Sequence, residues 1–180
     1  NLGWTNLTWT GQGIRTVAIP DGETPISTSG LVASWSFNET SGTTAASGGS
    51  CGATCNGTLA AGFASTTSQD QAPLTGWTAN NRRWGAGALM FDGSNDFISV
   101  AAVADLNPQS ELTVMSWFRP NNNTVASLLH KGDLSGAWQL NFTGAANLFG
   151  IYNGSSWNWV SPSFAFTPGE WYQIAATYTS

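Results

Sequence analysis

Charge is scarce in this sequence. Asp, Glu, Lys and Arg make up 8% of its 180 residues, against about 25% in an ordinary soluble domain. A surface so poor in charge has to be built from Ser, Thr, Asn, Gln and Gly. Lys and Arg together number only five, and the net charge is −5. They cannot assemble the basic patch that a nucleic-acid duplex demands, so nucleic acid is excluded as a partner. No apolar run reaches the roughly 18 residues of a membrane-crossing helix, so no membrane span is expected. Nor does any stretch of useful length repeat its apolar residues with a helical period. Histidine occurs once, at His130, and cysteine twice. A structural zinc site needs four ligands, which this inventory does not supply.

Tryptophan, by contrast, is abundant, with ten copies. Such rings fill cores, and they also stack on sugars or on partner chains. Cys51 and Cys55 lie close together in a Gly/Ser/Thr-rich stretch. The spacing favours a local disulfide, stabilising by about 2 kcal/mol through its small loop and implying an oxidising compartment. Six glycosylation sequons start at Asn6, Asn38, Asn56, Asn122, Asn141 and Asn153. Together with the low charge they point to a secreted, glycosylated surface protein.

The apolar residues alternate with period two in short runs, and Gly, Ser, Asn, Thr and Pro separate them. Such runs are residues 31–37, 85–91, 97–100, 112–118, 138–142, 148–152, 156–160 and 171–178. Many short strands of this spacing predict an all-β jelly-roll sandwich. In residues 138–142 the alternation sets Trp138, Leu140 and Phe142 inward and Gln139 and Asn141 outward. Asn153-Gly154 between two runs is a type I′ hairpin signal. Residues 42–71 read as a long polar loop, pinned by the disulfide and interrupted by one short strand. Residues 1–30 stand apart, with two expected strands over 4–19 that cannot form a core alone. The domain proper is expected over 31–180.

The stretch Phe91-Asp-Gly-Ser-Asn-Asp-Phe97 carries the first candidate site. Asp92, Asn95 and Asp96 crowd oxygens into one turn. That suits calcium, which takes six to eight oxygen ligands, and it equally suits a hairpin capped by its own side chains. Asp133 is a weaker candidate on the same logic. Tyr152, Trp157 and Trp159 form the second candidate, an aromatic platform for carbohydrate. Trp157 and Trp159 share one strand face, and the sequence leaves open whether that face turns inward or outward. Glu111 and Glu170 are distant in sequence, and no clustered carboxylates suggest a glycosidase pair. His130 reads as a strand residue with no nucleophile partner. Catalysis is therefore disfavoured.

The order of the runs resembles the laminin-G-like, concanavalin-A-like jelly-roll domains of secreted microbial proteins. The phrases that carry the likeness are Leu31-Val-Ala-Ser-Trp-Ser-Phe37, Cys55-Asn-Gly-Thr-Leu59, Gly87 to Phe97, Leu112 to Phe118, Leu129 to Asp133 and Pro168 to Tyr178. The resemblance implies an extracellular binding or building module, with calcium allowed near the loops. Such domains usually continue beyond a strand like Gln173–Tyr178 with several more. An unfinished sandwich exposes apolar faces and unpaired backbone, so either the protein continues past Ser180 or other strands complete the sheet, residues 4–19 being the candidates, in the same chain or in a neighbouring copy. Head-to-tail completion makes a homopolymer. The function expected first is a structural or adhesive filament module. The alternative is a carbohydrate-binding module, with or without calcium.

Overall fold

The computed structural model describes residues 29–60, 62–63, 70, 75–107, 110–122, 124, 126–132, 137–142, 147–161 and 165–179. The expected strands of residues 4–19, together with Asn6 and Asp133, lie outside these residues. What is described is all-β, as the alternation demands, with only two short 3-10 turns. Packing divides it into two compact units, residues 29–106 and residues 107–179.

The first unit is made of short strands: β1 (Ser34–Trp35), β2 (Thr44–Ala45), β3 (Ser47–Gly48), β4 (Gly57–Leu59), β5 (Gly76–Thr78), β6 (Ala88–Met90) and β7 (Ile98–Val100). They pair as β2-β4-β7, β1-β3 and β5-β6, all antiparallel. Ala45, Leu59, Phe63 and Trp77 form the core, with Trp35, Phe37, Leu89 and Ile98 packed against it. Two indoles tie loops to this core. Trp77 Nε1 donates to the Gly42 carbonyl at 2.8 Å, and Trp35 Nε1 donates to the Cys55 carbonyl at 2.9 Å.

Two expectations need correction here. The strand expected over 31–37 shrinks to Ser34–Trp35, because Phe37 takes a left-handed backbone, φ 54°. That conformation ends pleated alternation for a side chain of this size. The polar stretch from 42 onward is also more ordered than a loop. It holds β2, β3, a 3-10 turn over Gly52–Cys55 and β4. The Cys51–Cys55 disulfide is present, with Cα atoms 5.7 Å apart. Ser50 and Cys51 N–H groups donate to the carbonyls of Leu31 and Val32, each at 3.0 Å. Only glycine fits at position 49, where φ is +87° and an added Cβ would meet the Val32 carbonyl oxygen at 2.5 Å.

Asp70 knots this unit's chain to β5. Its carboxylate accepts from Thr78 Oγ1 at 2.6 Å and from the Ala79 N–H at 3.0 Å. The Thr78 hydroxyl, above all, holds the Asp70 carboxyl below the ordinary aspartate value, against the opposing effect of desolvation. A depressed folded pKa contributes stability above the unfolded value, and that contribution is lost as pH falls through the folded one. Acid melts below about pH 4 should therefore lower the melting temperature of the native protein more steeply than that of Asp70→Asn. Equal slopes would show that the knot does not favour the ionised form.

The second unit has longer strands: β8 (Glu111–Phe118), β9 (Ala126–Lys131), β10 (Trp138–Phe142), β11 (Asn147–Tyr152), β12 (Trp157–Val160) and β13 (Tyr172–Thr179). β8 and β13 pair along their whole length, and β12-β11-β10-β9 form a four-stranded antiparallel sheet. The two layers share one core. β8 and β13 contribute Val114, Phe118, Ile174 and Tyr178, and the facing sheet contributes Trp138, Leu140, Phe142, Phe149 and Ile151. Phe118 stacks on Phe142 at 5.0 Å and meets Phe166 edge-on at the same distance. The alternation read in residues 112–118 and 138–142 is observed, with Gln139 and Asn141 opposite the buried side.

Candidate functional site

Register decides which way the aromatic residues of β11 and β12 face. Phe149 and Ile151 of β11 lie in the core, so Gly150 and Tyr152 face away from it. On β12, Val160 pairs with Phe149, Trp159 with Gly150, Asn158 with Ile151 and Trp157 with Tyr152. Directly paired residues share a face. Trp157 and Trp159 therefore stand with Tyr152 on the outer face, and Asn158 turns to the core side. Its Nδ2 is buried there without a hydrogen-bond partner among the described residues.

Three rings form a row on this outer face. Tyr152 and Trp157 have ring centroids 5.7 Å apart, and Trp157 and Trp159 stack at 5.1 Å with planes inclined 21°. Trp159 is the open end, 44% exposed. Its six-membered ring lies over Gly150, where an added Cβ would meet ring carbons at 2.5 Å. The glycine thus lets an indole lie across the neighbouring strand. Each aromatic contact adds about 0.5–1.5 kcal/mol beyond area burial, so the rings are held in place before any ligand arrives.

Polar groups flank the rings. Gln139 pairs with Gly150 on one side and with His130 on the other. Asn141 Nδ2 donates to Gln139 Oε1 at 3.3 Å. The exposed His130 sits in β9, as its sequence setting suggests, with Nε2 2.9 Å from the Gly132 carbonyl oxygen. The structure thus joins Gln139, Asn141, His130 and Gly150 to the three aromatics. Sequence reasoning placed the two amides outward but did not connect them to the rings. The missing link was strand register, from β10 to β11 and then across the connection between β11 and β12.

That connection differs from the expected type I′ turn. Residues 153–156 form a four-residue loop in which Asn153 N–H donates to the Ser156 carbonyl at 3.1 Å. The Asn153 Oδ1 accepts from the N–H groups of Ser155 and Ser156, each at 3.0 Å. Only Gly154 takes a positive φ, 95°, whereas type I′ requires one at both central residues. The asparagine side chain bonds to backbone ahead of it and so replaces the tighter turn.

The oxygen-rich turn between β6 and β7 is closed on itself. Asp92 N–H donates to Asp96 Oδ2 at 2.8 Å, and Ser94 N–H donates to Asp92 Oδ1 at 2.7 Å. Asp96 Oδ1 is buried without a partner among the described residues, against the backbone of Gly62. No third acidic, histidine or cysteine side chain joins Asp92 and Asp96 among the described residues. Asn95 is exposed beside them.

Glu111 and Glu170 do not converge. Glu111 pairs with Thr179 at one end of the β8–β13 ladder, and Glu170 precedes Tyr172 at the other. Seven strand steps separate those ends, about 24 Å at the usual rise. A glycosidase pair needs roughly 5–9 Å. At four sequons the asparagine Oδ1 accepts a backbone N–H: Asn38 from Ala86, Asn56 from Ser47, Asn122 from Thr124, and Asn153 as above.

A family model described as the Concanavalin A-like lectin/glucanases superfamily matches residues 91–180, half of the chain. No curated protein and no solved structure matches it. No helix of the described residues is long and apolar enough to cross a membrane.

Proposed function

We propose, from the premise that this chain belongs to the Concanavalin A-like lectin/glucanases superfamily, that it binds carbohydrate on the outer face of β9–β12 without cleaving it. Domains of this type are carbohydrate-binding or adhesive modules. The single observation that carries the finer reading is the half-exposed Trp159 ring, laid over Gly150 beside Gln139. An apolar ring face next to amide donors and acceptors matches a sugar, which has an apolar face and a rim of hydroxyls. Strands β9–β12 contain no carboxylate, so they do not supply the carboxylate pair that glycosidases use. The Cys51–Cys55 disulfide supports an extracellular setting.

The test is retention on immobilised polysaccharides. The native protein should be retained and Trp159→Ala should not. Met115→Ala should behave as native, because Met115 is exposed on β8 in the other sheet. Retention that is equal for native and Trp159→Ala would overturn the reading.

The turn at 92–96 acts in this account as a capped hairpin, because each carboxylate already spends one oxygen on the turn's own N–H groups. Adding a chelator should leave the melting temperature unchanged. A downward shift would mean that an ion is bound in the folded state.

A second reading keeps the expected filament. β8 and β13 are eight-residue strands, and among the described residues each pairs only with the other. Such edges accept added strands. Deleting residues 4–19 should abolish assembly seen by electron microscopy if strand exchange builds a polymer.

A further inference from the structure

We infer that this face takes an extended run of a neutral polysaccharide laid across the strands, and not a lone sugar or an acidic glycan. The inference rests on the carbohydrate reading above and names the ligand class.

The length follows from register. His130, Gln139, Gly150 and Trp159 are successive cross-strand partners on β9, β10, β11 and β12. They form one row at right angles to the strands. Three inter-strand spacings of about 4.8 Å make the row about 14 Å long. A single pyranose ring cannot reach from one end to the other. The chemistry also changes along the row, from indole, over a glycine, to an amide and then an imidazole. A monosaccharide would use one end and leave the rest idle.

The polar part of the row is already oriented. The Asn141 Nδ2 bond to Gln139 Oε1 commits one donor and one acceptor within the pair. Gln139 Nε2 and Asn141 Oδ1 take no part in that bond, so the pair offers a ligand both a donor and an acceptor. A donor beside an acceptor suits neighbouring hydroxyls, each of which can play both parts.

Charge sets the class. β9–β12 contain no arginine, and their one lysine, Lys131, pairs with Trp138, whose side chain lies in the core. Carboxylates and sulfates are held best by charged donors, arginine above all. The whole chain carries −5, which repels a polyanion. Uncharged hydroxyl-rich chains meet no such opposition.

The experiment is calorimetric titration of the intact chain with neutral oligosaccharides of gluco, xylo, manno and galacto type, from monomer to hexamer. Polygalacturonate and heparin fragments serve as acidic counterparts. At least one neutral series should tighten by about tenfold or more between monomer and hexamer. His130→Ala should weaken the hexamer while leaving a dimer seated at the Trp159 end unchanged. Preference for an acidic fragment, or a monomer as tight as its hexamer, would overturn the inference and leave carbohydrate binding standing. Equal loss for dimer and hexamer in His130→Ala would also overturn it. Binding of no glycan at all would overturn the proposed function as well.

Discussion

Trp77→Ala should unfold the unit formed by residues 29–106. Trp77 is 1% exposed and is the largest side chain of that core. Truncating a buried aromatic of this size costs about 3–5 kcal/mol through lost transfer energy and the remaining cavity. The change also strips the Gly42 carbonyl of its indole donor, adding about 1 kcal/mol. A small domain holds only about 5–15 kcal/mol in total, so the loss takes much of what is available. The core around Trp77 is otherwise thin, with Ala45, Leu59 and Phe63 as its other fully buried members. Urea titration followed by circular dichroism measures the shift. A midpoint within about 0.5 kcal/mol of native would mean that the ring is not packed as described.

Trp159→Ala should do the opposite, abolishing most binding while leaving the fold alone. Its ring is 44% exposed and rests on Gly150 at a sheet edge. Removing it uncovers a glycine and opens no cavity, so the melting temperature should fall only by the few degrees that the lost stack on Trp157 contributes. Binding should weaken by about tenfold to a hundredfold, the roughly 1.4–2.7 kcal/mol that a central aromatic contact supplies. Gly150→Val supplies the complementary perturbation, since its Cβ would push the ring off the sheet. It should weaken binding with Trp159 itself intact. Normal binding in both variants would move the site elsewhere.

Those two tryptophans also show how far the sequence could be read. Period-two alternation marked β8, β10 and β13 and their buried faces, because each of these strands has one side in the core and one in the open. The cysteine spacing gave the disulfide. The direction of Trp157 and Trp159 was not legible, because alternation says only that they agree with each other. It took Phe149 and Ile151 in the core, and four paired positions across β11 and β12, to turn them outward. The loop hid that register, since Asn153 uses its side chain where the dipeptide rule assumes backbone alone. Phe37 was invisible for a different reason. Its left-handed backbone, φ 54°, has no signature in a local pattern of apolar and polar residues. The Asp70 knot joins residues eight apart through a side chain, which periodicity cannot register.

The outer face of β9–β12 is where a bound sugar should be felt. Nitrogen-resolved spectra of the ten indole N–H groups during titration with a neutral oligosaccharide address it directly. The signals of Trp157 and Trp159 should move progressively to saturation, and that of Trp77 should stay where it is. Movement confined to other indoles, with Trp159 unperturbed at saturation, would contradict it.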